Sequence, residues 1–300
     1  MSELKLGIIG TDTSHAIAFT EIINDINHPY HVTGGKVISA YPGGSPDFLL
    51  SITRVEEYMD HLREKYSVQR LESPEEVAAS CDAILLESAD GRVHLEQFRR
   101  IASFRKPVFI DKPLAISYKD AIGIQEAALQ YAVPIMSSSA LRYAEALIED
   151  LARHGRTGIT GTDVAGPLNV EPTQSYYYWY GIHSVEMLYA IMGLGCVEIN
   201  VTVNEDHDLL TGQWKDGRIG TARCNRNENN QFSAVIRRGH DISLVDIQSA
   251  VKPFYASLVE QIMAFFNSGQ SPIAWQETLE IIRFLEAAEQ SRQQGTIIRL

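Results

Sequence analysis

Two residues in this sequence have a type and setting suited to steadying a developing charge and moving a proton: Lys112 and His183. Lys112 stands in Ile110-Asp111-Lys112-Pro113-Leu114, at the end of an apolar run. A residue before proline is held in extended backbone, so the ammonium projects at a fixed angle. Placed that way, it hydrogen-bonds a substrate hydroxyl and stabilises negative charge building on that oxygen. The plainer reading is a surface lysine paired with Asp111. His183 stands in Gly181-Ile182-His183-Ser184-Val185-Glu186, in the first turn of a helix. An imidazole there suits the acceptance of a hydroxyl proton, and Glu186, one turn on, is placed to orient it. The plainer reading is a satisfied polar group, and one histidine with one glutamate is too few donors for a metal centre.

A second constellation lies near the N-terminus. Gly7-Ile8-Ile9-Gly10-Thr11-Asp12-Thr13-Ser14-His15 occupies the strand-to-helix turn that cradles a diphosphate in dinucleotide-binding sheets. The full pattern is G-x-G-x-x-G: one glycine for the tight turn, one for approach of the phosphates, one for close packing of the helix. Gly10 fills the first place, Asp12 the second and His15 the third, so the pattern is broken. Asp12 sets a carboxylate beside any diphosphate unless a cation or a proton intervenes. No carboxylate ends the second strand to hold a ribose; Tyr41-Pro42-Gly43-Gly44-Ser45 stands there and reads as a turn, or as an anion cradle. The run Ser175-Tyr176-Tyr177-Tyr178-Trp179-Tyr180 offers rings that stack on sugar faces or pack a core, with Tyr178 and Tyr180 nearest His183. A metal-dependent reading built on Asp12, His15 and His183 is the weakest, and no metal is expected.

These residues need a frame to hold them. Short apolar runs alternate with helical patterns in the first half: strands at 4–9, 36–40, 82–87, 107–110 and 133–136, and helices at 14–27, 55–66, from Ser73-Pro74, at 92–102 and at 117–131. This βαβ alternation predicts an α/β fold with a Rossmann-type, doubly wound parallel sheet over residues 1–139. The second half, 140–300, predicts an α+β domain. A helix at 140–153 leads to a Gly- and Thr-rich stretch at 157–166 and a helix at 180–192. Strand-like runs follow at 196–204, 209–214, 220–224, 232–237 and 242–247. Asp216-Gly217 is a hairpin turn, so this sheet is expected to be largely antiparallel. Helices at 253–267 and 276–292 close the chain.

With a formal net charge of −12 over 300 residues and scattered Lys and Arg, nothing supplies the basic patch that nucleic acid or an anionic membrane surface needs. No run reaches ~18 apolar residues, so no membrane span is expected. Three cysteines without metal-motif spacing read as free thiols, and no signal peptide is evident, so the cytoplasm is the expected location.

In order and spacing these pieces resemble the Gfo/Idh/MocA family of oxidoreductases. Lys5 to Gly10 looks like its opening strand, Cys81 to Leu86 followed by His94 like its "DAV…TP…H" segment, and Lys106 to Ala115 like its "GK.V..EKP.A" segment. Gly181 to Glu186 resembles its "G.H..D" helix, and the tail from Pro272 to Leu300 its closing helix and strand. The resemblance implies an NAD- or NADP-dependent dehydrogenase acting on a sugar, polyol or related small molecule. It implies that Lys112 contacts the reacting oxygen and that His183, with Tyr180 beside it, works as acid and base. Gly10, Thr11, Asp12, Thr13, Ser14, His15, Ser88, His94 and Lys112 are the implied cofactor contacts. Tyr178, Trp179, Glu186 and Arg142 are the implied substrate contacts, and a homo-oligomer is the implied assembly. The family's aspartate four residues before the histidine is Trp179 here. The alternative is a non-catalytic small-molecule-binding or regulatory relative that has lost the dinucleotide.

Overall fold

The computed structural model describes residues 3–227 and 229–300, which include every candidate named above. The chain forms two compact units, Met1–Ser138 with Tyr255–Ala274, and Ser139–Phe254 with Trp275–Leu300.

In the first unit the order is β1 (Leu4–Ile9), α1 (Ser14–Asn24), β2 (Gly35–Tyr41), α2 (Leu49–Ile52), α3 (Val55–Tyr66), β3 (Gln69–Arg70), α4 (Pro74–Ser80), β4 (Ala83–Leu86), α5 (His94–Ile101), β5 (Val108–Asp111), α6 (Tyr118–Tyr131) and β6 (Ile135–Ser138). The six strands lie in the order β3-β2-β1-β4-β5-β6, all parallel. β4 and β5 are buried at every residue, the mark of strands covered on both faces. The strand order reverses between β1 and β4, and ligands bind such sheets outside the carboxyl ends of the strands at that point. Helix starts follow their caps: Thr13 accepts from the His15 N–H, and Ser73 from Glu76 with Pro74 in the first turn.

The second unit runs through a 3₁₀ turn (Ala140–Tyr143), α7 (Glu145–His154), β7 (Ile159–Pro167), α8 (Gly181–Met192), β8 (Cys196–Val203), β9 (His207–Trp214), β10 (Ile219–Asn225), β11 (Ser233–Arg238) and β12 (Asp241–Asp246). Its seven-stranded sheet has the order β12-β11-β7-β10-β9-β8-β13, with β13 (Ile298–Arg299) at one edge. β7 and β10 run parallel and every other pair antiparallel. The Asp216-Gly217 turn joins β9 to β10, with Gly217 at φ +87°. α8 is buried on all sides, as expected of a helix apolar around most of its circumference.

Two features go beyond the sequence reading, one left unassigned there and one placed differently. The Gly- and Thr-rich stretch is β7, an interior strand. A Cβ on Gly161 would meet the Ile219 carbonyl oxygen at 2.7 Å, and one on Gly166 the Phe232 ring at 2.5 Å. Those glycines mark close approach within a strand, not a loop. Residues 255–274, placed with the second domain by a division at 139/140, belong to the first unit. There α9 (Phe254–Ser268) sets Met263 against Gly35 and Tyr255 against Phe19. The apolar face of α9 shows that it covers something without naming the sheet. α10 (Trp275–Gln294) returns to the second unit. All three cysteines are buried free thiols. No helix among the described residues is long and apolar enough to cross a membrane.

Candidate functional site

At the carboxyl edge of the first unit's sheet, Gly10 leaves β1 with φ +92°, and a Cβ there would meet the Ser88 backbone nitrogen at 2.4 Å. The strained dihedral and the immovable backbone add, so Gly10→Ala is expected to lower stability by about 3 kcal/mol, read as a shifted urea midpoint at constant slope. The Gly10 and Thr11 N–H groups donate to the Tyr41 and Pro42 carbonyls at 2.9 and 2.8 Å, tying the β1 and β2 loops together. The Thr11 hydroxyl donates to the Val55 carbonyl at 2.9 Å.

Asp12, in the second glycine's place, is buried and accepts from the Ser51 hydroxyl at 2.5 Å and the Ala89 N–H at 3.0 Å. Its carboxylate therefore bridges the loops after β1 and β4. Burial raises its pKa, against the pull of those two hydrogen bonds. Ser14 is exposed at the start of α1. Gly43 and Gly44 form a left-handed turn at φ +69° and +99°, while Ser45 donates its N–H to Ser51 and its hydroxyl to Asp90. The Ser88 hydroxyl donates to Gln97 at 2.8 Å. His94 is fully buried, its ring nitrogens 2.9 Å from the Pro113 carbonyl and 2.8 Å from that of Ser88, so it ties the β4 loop to the β5 loop.

His15, in the third glycine's place, turns its ring beneath this loop. Nδ1 lies 2.8 Å from Asp111 Oδ2, Nε2 lies 3.0 Å from the Tyr255 hydroxyl, and Phe19 stacks on the ring. Asp111 ends β5; Glu87 follows β4, the neighbouring strand. Ligand atoms of His15, Glu87 and Asp111 all lie within 4.8 Å of one another, and all three residues are buried. Both Glu87 oxygens and Asp111 Oδ1 have no hydrogen-bond partner among the described residues. Burial pushes the Glu87 pKa well up; the negative charge of Asp111 adds to this and Lys112 opposes it. Asp111 goes the other way: despite burial, the charge and hydrogen bond of His15, with Lys112, hold it below the usual carboxylate range. Lys112 itself is partly buried at the start of the β5 loop.

In the second unit His183 opens α8, with Nδ1 2.7 Å from the Ser139 hydroxyl and the Tyr180 and Phe232 rings edge-on at 5.0 and 5.9 Å. Glu186 engages Arg142 at 2.6 Å, and Arg142 also meets Glu277 at 2.7 Å, so these charges form a triad in which Arg142 and Glu186 are buried and Glu277 is partly buried. Burial raises the Glu186 pKa, and Arg142 opposes that. Tyr178 is core, its hydroxyl donating to the Ile282 carbonyl at 3.1 Å. Tyr177 is also core and donates to Asp208 at 2.7 Å. Trp179 and Tyr180 are partly buried.

The residues that sequence reasoning passed over are Glu87, Tyr255 and Ser139. A signal existed for Glu87: a carboxylate directly after an all-apolar strand must sit at the sheet's carboxyl edge. Tyr255 gave none, lying 240 residues from its partner His15.

Residues 5–138 match the profile of the oxidoreductase family with an NAD-binding Rossmann fold. No curated protein sequence is significantly similar to the chain. Among solved structures, a probable dehydrogenase from Thermotoga maritima superposes with a TM-score of 0.79 at 16% identity, covering 99% of this chain and 98% of that one. Scyllo-inositol dehydrogenase from Lactobacillus casei gives 0.78 at 16% identity over the same shares. An oxidoreductase from Agrobacterium radiobacter, solved with NAD+, L-tartaric acid and magnesium, gives 0.76 at 13%, again over 99% and 98%. At these identities the likeness is one of fold.

Proposed function

We propose that this chain, which has the fold of the Gfo/Idh/MocA oxidoreductases, is an NAD(P)-dependent member of that family acting on a sugar, polyol or related hydroxylated molecule. The observation that carries this is Lys112, placed where β5 ends at the carboxyl edge of a sheet whose strand order reverses between β1 and β4. The dinucleotide fits at two points of that edge. Gly10 keeps the close turn that any Cβ would block, and α1 begins with no acidic residue in its first turn, so the positive end of its dipole is not offset there, with the His15 N–H capped by Thr13. Asp12 is the feature that opposes it, and in its neutral form, which burial favours, the opposition becomes a hydrogen bond.

When bound, the nicotinamide supplies the acceptor or donor of hydride. Lys112 directs positive charge at the reacting oxygen, favouring the state in which that oxygen is most negative. In the second unit, the His183 ring is held through Nδ1 by Ser139, which suits that imidazole to exchange a proton with a hydroxyl. A second reading, a small-molecule-binding relative without the dinucleotide, is favoured by the Asp12 carboxylate already holding the Ala89 N–H.

Titrating the wild type and Asp12→Gly with NADH and NADPH separates the two. Restoring the second glycine is expected to tighten binding about tenfold or more at neutral pH. Wild-type affinity is expected to rise as the pH falls through the raised Asp12 pKa, because only the ionised carboxylate repels a diphosphate. Equal binding by both proteins at every pH would contradict the role given to Asp12. Binding by neither would leave the second reading.

A further inference from the structure

We propose that His15, Glu87 and Asp111 form a binding site for one divalent transition-metal ion of the zinc and manganese class. The inference does not depend on the dinucleotide: it concerns side chains beneath the loop, and an ion would bind there whether or not a nicotinamide does.

Four observations converge on it. First, the three residues offer one nitrogen and two carboxylates within 4.8 Å of one another, at the ends of two adjacent strands and the start of one helix. Ligand atoms around a tetrahedral ion with ~2.0–2.2 Å bonds stand about 3.5 Å apart, so the widest contacts close by about 1 Å on ligation while the 2.8 Å His15–Asp111 contact opens to admit the ion. Second, three carboxylate oxygens here are buried without a hydrogen-bond donor: both of Glu87, which is 0% exposed, and Oδ1 of Asp111, which is 1% exposed. Buried polar atoms are nearly always satisfied, and an orphaned carboxylate oxygen indicates a missing partner that is positive or carries a proton. Third, two buried carboxyl groups stand beside one imidazole, a mixed oxygen and nitrogen donor set of the kind that holds such ions. Fourth, the imidazole already has the outer contact typical of a metal-bound histidine. With Nδ1 as ligand, Nε2–H donates to the Tyr255 hydroxyl at 3.0 Å, and Phe19 stacks on the ring to fix its plane.

The donor set selects the ion. One imidazole with two carboxylates suits zinc, manganese or ferrous iron; calcium and magnesium favour sets made of oxygen alone, and cuprous ion favours sulfur. Three protein ligands leave a coordination position open.

The test uses the full chain, stripped with EDTA and titrated calorimetrically with ZnCl₂ and with MnCl₂, with metal content measured after dialysis. The expected result is one ion per chain and a rise in melting temperature on binding. Glu87→Gln matches the neutral acid in shape, so the variant should fold as the wild type does, and circular dichroism and the metal-free melting temperature check this. It should lose ion affinity by at least about 100-fold, as should His15→Gln, and Tyr255→Phe should lose about 10-fold. A wild type that binds neither ion more tightly than about 0.1 mM overturns the proposal. So does undiminished binding by folded Glu87→Gln and His15→Gln, which would place the ion elsewhere.

Discussion

Arg142→Met is expected to destabilise the protein by about 3–5 kcal/mol, through the two carboxylates the change leaves behind more than through the bonds it removes. Arg142 is 4% exposed and holds Glu186 at 2.6 Å and Glu277 at 2.7 Å, all within the second unit. The Glu186 pKa is already raised by burial with the guanidinium opposing; without that cation it rises further. A carboxyl with a raised folded-state pKa contributes stability below its unfolded pKa that is lost as the pH climbs through the folded one. The deficit of Arg142→Met should therefore be largest at neutral pH and shrink toward acid. Urea unfolding at several pH values measures this. The triple variant Arg142→Met, Glu186→Leu, Glu277→Leu should recover most of the loss, because exchanging a whole buried charge set for apolar groups is often close to neutral.

Lys112→Met is expected to lower turnover about 10²–10³-fold, the usual effect of removing one group that stabilises charge on a reacting oxygen. The measurement is nicotinamide absorbance during oxidation of a panel of polyols and sugars. Dinucleotide affinity should move only a few-fold, since the charge of Lys112 is proposed to act on the substrate oxygen. An unchanged kcat would remove Lys112 from the chemistry while leaving the fold assignment intact. A large loss of dinucleotide affinity would instead make it a cofactor contact.

Where local rules suffice, the sequence is readable. The apolar-rich strands β1, β4 and β5, the Ser73-Pro74 helix start and the Asp216-Gly217 hairpin all lie where periodicity and turn chemistry put them. β7 was not legible, because its glycines lower strand propensity and their reason, contact with Ile219 and Phe232, is tertiary. Nor was the unit to which α9 belongs, since an amphipathic helix does not say what it covers. Single residues of the candidate site stood out by type: Lys112, His183, Asp12 and His15. Their partners did not. Asp111 could pair with His15 only once β5 and α1 met at one sheet edge, and Arg142 finds Glu186 across 44 residues of chain. The three tyrosines at 176–178 show the converse. Residue type left a stacking surface and a packed core both open, and the hydroxyls of Tyr177 and Tyr178 are satisfied inside the second unit by Asp208 and the Ile282 carbonyl.

The most direct test of the oxidoreductase reading is a titration of the unmodified chain with NADH, followed by nicotinamide fluorescence. The reading predicts saturable binding of one NADH or NADPH per chain, displaced by the oxidised form. A folded protein whose signal stays linear with both reduced nucleotides to millimolar concentration, in the wild type and in Asp12→Gly alike, would contradict it.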